Sequence, residues 1–526
     1  MKKTFSLLAT FLFCGTLGFA QQVDSLKANN WTAGVYDNGG MFNHPEAFPL
    51  FHHTAWKADA IYAGNIWISA TDAMDNSYVS AAMYATHSTD FEQGPIRDNQ
   101  DFYYHSLLKV KRIEIENHIA NFNQPGYEMP ASILEWRGNG NPANGEALDM
   151  APFKDENENG CYDPENGDYP IIRGDEAVYT IYSDGLKVNE ASGSLDSKIE
   201  VHSMLYGFSE EDNEDLNNTL FLRHTLINRS DVDYTIKVGQ WMDFDIGRPD
   251  DDYVGCDSTE NLFFSYNGDD NDEETGGAFP GFGQRPPAVG VKFLENQLHS
   301  FLYHGFGSGP QGSPQTKQEF INMLNGTYKD GTPIVDHNGE TTLYSYYGDP
   351  VNNTGWTEYT ENIKGDRRGL GTFPQTTIAP GERVHYDMLI TAGRNLDPLE
   401  EVTAASNVGE LKSRAKRMEE FYNLQKFDVG TLASNENCAL AVAEKLNDQS
   451  FEFAPNPTSG TIALRAEVSI TDVTLMSIDG KVVFNENINN RSAQLDLGPT
   501  VENGIYLLTV ILENGSNELR RIVVDK

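Results

Sequence analysis

Along much of the chain, apolar and polar side chains alternate with a period of two, the pattern of a half-buried strand. Tyr234, Ile236, Val238, Gln240, Met242 and Phe244 face one way, with Thr235, Lys237, Gly239 and Trp241 opposite. Pro380-Gly381-Glu382 precedes a second such run. There Val384, Tyr386, Met388 and Ile390 share one face, and His385, Asp387 and Thr391 the other. The aromatic stretch Ala63 to Ala70 and the run Asn218 to Asn228, closed by the turn Asn228-Arg229-Ser230-Asp231, read as further strands. The period lengthens to that of a helix once. Between Leu399 and Leu424, Leu411, Ala415, Met418 and Tyr422 recur at helical spacing, with Lys412, Arg414, Lys416, Arg417 and Glu419 on the other side. Beyond residue 451 alternation returns in short runs closed by Asp479-Gly480 and Asn514-Gly515, both strong hairpin dipeptides. The expected fold is mainly β. An immunoglobulin-like β-sandwich body carries one amphipathic helix near its end and is followed by a small C-terminal β-sandwich. The expected boundaries are a body over 21–433, with room for two lobes meeting near residue 200, a polar linker over 434–450 and a final domain over 451–526.

Composition supports this picture and narrows the partners. The 526 residues include 47 Gly and 23 Pro, which suit many turns. With 39% hydrophobic and 11% aromatic residues, the chain is too apolar to be disordered despite its charge. Only 38 Lys and Arg stand against 78 Asp and Glu, a formal net charge of −40. That charge repels a phosphate backbone and disfavours docking on an anionic membrane. The four cysteines include no CxxC pair and no Cys/His zinc spacing. Cys14 lies at the N-terminus, and at most one disulfide can join two of Cys161, Cys256 and Cys438.

Both ends read as addresses. Lys2 and Lys3 precede an apolar run from Phe5 to Phe13, then Gly18-Phe19-Ala20. Small residues at −3 and −1 mark 1–20 as a signal peptide cut between Ala20 and Gln21. The run is too short to span a bilayer. At the other end stand Pro455-Asn456-Pro457-Thr458-Ser459-Gly460, a strand ending in Asp479-Gly480-Lys481, Gly504-Ile505-Tyr506, and Arg520 to Lys526. These landmarks, in this order, resemble the type A C-terminal sorting domain of the type IX secretion system of Bacteroidota. The resemblance implies passage through the type IX machinery, removal of the domain by a sortase-like peptidase, and release or attachment to surface lipopolysaccharide. Body segments including Gly64 to Ser69, Asp90 to Pro95, Ala151 to Pro170, Gly239 to Asp257 and Gly365 to Arg368 resemble a large group of secreted proteins of that phylum. That group implies an extracellular location and no particular reaction.

The sharpest chemical signal is the loop from Asp155 to Asp168. Calcium wants six to eight oxygens, and a loop with an oxygen at every second residue can wrap it. Asp155, Asn157, Asn159 and Asp163 take positions 1, 3, 5 and 9, Gly160 takes the sharp turn at 6, and Cys161 at 7 would offer its backbone carbonyl, leaving its thiol irrelevant to the site. Position 12 is Asn166 instead of an acid, so Asp168 is expected to close the shell. Pro152 and Pro170 discourage flanking helices, which makes the loop similar to a dockerin-like calcium loop. A second candidate cluster, Asp243, Asp245, Asp250, Asp251, Asp252 and Asp257, lies in an acidic stretch whose mutual repulsion a cation would relieve. No HExxH, GxSxG or P-loop occurs, and Gly305 to Gly309 is a glycine-rich turn without a nucleophile. His52 and His53, adjacent on a strand, point to opposite faces and read as packing residues. The expected function is a secreted or cell-surface, calcium-stabilised structural or binding protein whose partners include surface glycans. The alternative is an extracellular hydrolase acting on glycans or peptides, with unassigned catalytic acids.

Overall fold

The computed structural model describes residues 22–42, 51–84, 87–98, 106–185, 189–273, 280–398, 402–435, 438, 451–456, 458–477, 482–498, 501–513 and 517–524. The signal peptide and its cleavage site, His44, most of the expected linker, Pro457 and Gly480 lie outside these residues. The chain divides into two compact units, one of Gln21–Leu440 and one containing Ala441–Lys526.

In the first unit, two large antiparallel sheets bury a common core. One runs, edge to edge, through Asp252–Asp257, Leu262–Asn267, Ala288–Phe293, Arg383–Gly393, Thr219–Asn228, Ile199–Gly207 and Glu176–Ser183. Its far edge is completed by the short strands Glu92–Gln93 and Leu107–Lys111. The other runs through Ser300–His304, Arg367–Thr372, Tyr234–Phe244, Ile61–Thr71, Ser77–Tyr84 and His87–Thr89, with Thr376–Ile378 also paired to Tyr234–Phe244. With nine and seven strands, these sheets are wider than those of an immunoglobulin domain. The two-lobe alternative is not realised. Strand Ile199–Gly207 pairs on both sides, so a boundary near residue 200 would cut the sheet through its middle.

The alternating runs point as their pattern requires. Ile236, Val238, Met242, Phe244, Tyr386, Met388 and Ile390 enter the core between the sheets. Strand Tyr234–Phe244 is buried on both faces beyond Gly239, however, where the sequence suggested a half-buried strand. Trp241 on its outer face lies beside Trp67 with ring centroids 6.0 Å apart, and Phe320 of helix Lys317–Leu324 packs edge-on to Trp67. The second helix face is as expected. Thr403 caps Ala404–Leu424 by accepting from the Ser406 N–H. Val408, Leu411, Ala415, Met418 and Tyr422 cover the outer face of the nine-stranded sheet against Phe264, Ala288 and Leu389. The helix lies flat there because the strand beneath it carries glycine. A Cβ on Gly393 would stand 2.1 Å from the Leu411 backbone nitrogen.

The C-terminal unit is a five-stranded antiparallel sheet. Its long strand Thr461–Ser477 pairs with Phe451–Ala454, Val482–Asp496 and Gly504–Leu512, and the ladder shifts between Arg465 and Ile470. Such shifts bend a strand. Ile462, Leu464, Val473, Leu475, Leu508, Val510 and Ile522 form its core.

Candidate metal centres and the sorting domain

Residues 155–168 form a closed loop. Its base is a two-residue ladder, Phe153 with Pro170 and Lys154 with Tyr169, so Pro170 sits in a strand, Pro152 stands just before one, and no helix flanks the loop. Asp155 accepts from the N–H groups of Asn159 (3.2 Å) and Gly160 (2.8 Å). Asn157 and Asn159 donate their amides to the two oxygens of Asp163, at 2.9 and 2.7 Å. Asp168 reaches in from the far end and accepts from Glu156 N–H (2.9 Å) and Asp163 N–H (2.8 Å). Asn166, at position 12, is spent in the turn Pro164–Asn166, and Asp168 does occupy the interior. It is fully buried, and burial pushes its carboxyl up to about 7, with Asp163 adding to the rise. Among the described residues no Lys or Arg pairs with Asp155, Asp163 or Asp168.

The Cys161 thiol is not irrelevant to this loop. It forms a disulfide with Cys438, 277 residues away. Ser434 N–H donates to the Gly160 carbonyl (3.0 Å), and a Cβ on Gly160, whose φ is +77°, would meet the Ser434 hydroxyl at 2.8 Å. Ser434, Asn435 and Cys438 thus belong to the body, where the sequence suggested a linker. Spacing could not show this pairing, because it depends on which distant segment covers the loop. Cys256 is free and buried in the core.

The second acidic cluster does not form one site. Asp250 pairs with Arg248 at 2.9 Å, Asp251 faces Lys364 at 3.8 Å, and Asp257 pairs with Lys412 of the long helix at 2.7 Å. Asp252 is wholly buried and accepts from the Ile246 N–H (2.9 Å). Local charge density misled here, since alternate residues leave a strand on opposite faces. Asp243 and Asp245 instead meet Asp366, a residue distant in sequence and outside the acidic stretch. One oxygen of each of the three carboxylates lies within 4.8 Å of the others. Arg368 lies beside them, its Nε 3.2 Å from Asp243 and its Nη1 2.9 Å from Asp366, and the Tyr84 hydroxyl donates to Asp243 (3.0 Å). Burial pushes the Asp243 carboxyl up to about 7 and raises that of Asp245 well above the usual carboxylate range, with neighbouring carboxylates adding to the rise.

The histidines are packing residues on the described segments. His53 is buried, hydrogen-bonds Asn218 (2.7 Å) and stacks on Trp56, while His52 faces Asp59 at 3.2 Å. The glycine-rich turn lines a pocket of about 450 Å³ with Tyr303, Phe306, Pro310, Gln311 and Tyr328, and no carboxylate is among its walls.

In the C-terminal unit the landmark residues hold strand ends. Asn456 accepts from the Val523 N–H (2.7 Å), and the Tyr506 hydroxyl donates to the Glu502 carbonyl (2.9 Å). Pro455 follows Ala454 by a cis peptide bond, and Gly504 opens the strand Gly504–Leu512. Residues 452–525 match the family described as secretion system C-terminal sorting domain. No curated protein matches the sequence. Among solved structures, the chain is similar to a polysaccharide lyase at 8% identity and a TM-score of 0.18, over 62% of this chain and 34% of that one, about a third of the lyase's length. It is similar to a putative aldose 1-epimerase from Escherichia coli K12 at 9% identity and a TM-score of 0.25, over 72% and 100% of the two chains. An Aspergillus nidulans amine oxidase aligns at 8% identity and a TM-score of 0.26, over 83% and 61%. Scores this low carry no argument about activity. No described helix is long and apolar enough to cross a membrane. The strand order, the placed landmarks and the family match make residues 452–525 a type IX secretion sorting domain, which addresses this chain to the cell surface or the medium beyond it.

Proposed function

We propose that the body is a calcium-stabilised structural or binding protein, delivered by its sorting domain to the cell exterior after loss of residues 1–20. The observation that carries this reading is Asp168. A buried carboxylate beside Asp163, with no Lys or Arg pairing it among the described residues, is expensive unless a cation pairs with it. Hard carboxylate and amide oxygens suit calcium. Asn157 and Asn159 present their amide nitrogens to Asp163, and turning each amide over presents its oxygen instead. The Cys161 carbonyl would complete the set. The partners proposed for the exported protein are the type IX machinery, its sortase-like peptidase and surface glycans, for which the aromatic pocket around Phe306 is the candidate face.

A hydrolase would need two accessible carboxylates in a cleft. Asp243 and Asp245 are nearly buried, and the pocket is lined without acids. The test is thermal melting of the full secreted chain in calcium and in chelator. Extracellular calcium modules bind at about 10⁻⁴–10⁻³ M, and calcium at about 100 times its dissociation constant adds about 2.7 kcal/mol. Asp155→Ala with Asp163→Ala should remove most of that response. Equal melting of the wild type in calcium and chelator overturns the reading.

A further inference from the structure

The antiparallel register sets Asp243 opposite Arg368 and Phe244 opposite Arg367. One step further along the same two chain segments come Asp245 and Asp366, on the face shared by Asp243 and Arg368. Two aspartates thus face each other across the strands, and a third sits beside them on that face. Like charges placed opposite each other are destabilising. Arg368 offsets one of the three charges, leaving two uncompensated. Its guanidinium lies 3.5 Å from the Phe306 ring and pairs with Asp243 and Asp366, with no ion pair to Asp245 among the described residues.

Asp245 is the telling residue. It is 7% exposed, and it makes no hydrogen bond and no ion pair among the described residues. One oxygen of Asp243 and one of Asp366 are held only by their ion pairs with Arg368, with no aligned hydrogen bond. A buried carboxylate aimed at two others calls for a positive partner that the side chains do not supply.

We propose that Asp243, Asp245 and Asp366 bind one calcium ion, at a site separate from the 155–168 loop. Three carboxylate oxygens gathered within 4.8 Å of one another are hard donors, and calcium takes such oxygens in a flexible shell that water can complete, whereas magnesium demands near-ideal octahedral geometry. Asp366, whose side chain is 34% exposed, forms the solvent-side wall where water completes the shell. Arg368 and Tyr84 act as positioning residues, orienting Asp243 and Asp366 without touching the ion.

The experiment is equilibrium dialysis of the full secreted chain against buffered calcium, with bound metal counted by mass spectrometry. Asp245→Asn and Asp366→Asn should each bind one calcium fewer per chain than the wild type. Asp155→Ala with Asp163→Ala should keep this ion, which separates failure of this site from failure of the loop. In chelator, Asp245→Asn should melt at or above the wild-type temperature, because it removes repulsion. Should that variant fail to fold, the partly exposed Asp366 decides the question alone. Wild-type stoichiometry in Asp366→Asn, or displacement of the ion by equimolar magnesium, overturns the proposal.

Discussion

Replacing Cys161 by serine removes the only disulfide among the described residues while leaving the loop backbone intact. The bond joins residues 277 apart, and chain-entropy arithmetic for a loop of that length gives about 5–6 kcal/mol at 25 °C. Measured disulfides typically return about 2–4 kcal/mol, and a value near 3 is expected here. For a unit the size of Gln21–Leu440 the unfolding entropy is about 0.9 kcal/mol/K, so 3 kcal/mol becomes about 3–4 °C in melting temperature. The assay is scanning calorimetry of the secreted chain, oxidised and reduced, beside Cys161→Ser. Because the disulfide clamps Gly160 and its neighbours against Ser434 and Asn435, the variant should also lose part of the stabilisation calcium provides. Thiol counting under denaturing, non-reducing conditions should find one free cysteine, Cys256. Identical melting of oxidised protein, reduced protein and variant would refute the view that this bond braces the loop.

Three other perturbations bear on different parts of the molecule. Glu200 is fully buried; burial raises its carboxyl, but Arg229 and His202 outweigh it and hold it down at about 2. Arg229→Met should therefore cost about 3–5 kcal/mol by denaturant melts. Because the folded-state value is depressed, this stabilisation is complete above about pH 4.3 and fades as pH falls toward 2, so wild type and variant should converge in acid. Gly393→Ala drives a methyl into the backbone of the long helix and should cost about 1–3 kcal/mol, read by the same melts. Deleting Gly504 to Lys526 removes two of the five strands of the sorting domain, and fractionation should find the truncated protein in the periplasm instead of the medium.

How much of this was legible in the residues depends on the range of the interaction involved. Period-two alternation placed the faces of Tyr234–Phe244 and Arg383–Gly393, and helical spacing found Leu411, Ala415, Met418 and Tyr422, because strand and helix geometry are local. The sorting landmarks were readable for the same reason, being turns and strand ends whose residue types the backbone demands. The 155–168 loop is one continuous segment, and it folds as a closed turn with Asp168 buried and Asn166 in the turn Pro164–Asn166.

What only the tertiary structure decided involves residues far apart in sequence. Gly239 to Phe244 is buried on both faces because a helix 80 residues downstream covers Trp241 and Trp67. Cys161 finds Cys438 because Ser434 and Asn435 fold back over the loop. The acidic run 243–257 is dispersed by strand alternation and by cations brought from Lys364 and Lys412, while Asp366 joins Asp243 and Asp245 through sheet register. Charge counted along a chain measures neighbours in sequence, whereas the energy of a carboxylate depends on its neighbours in space and on the water it has lost.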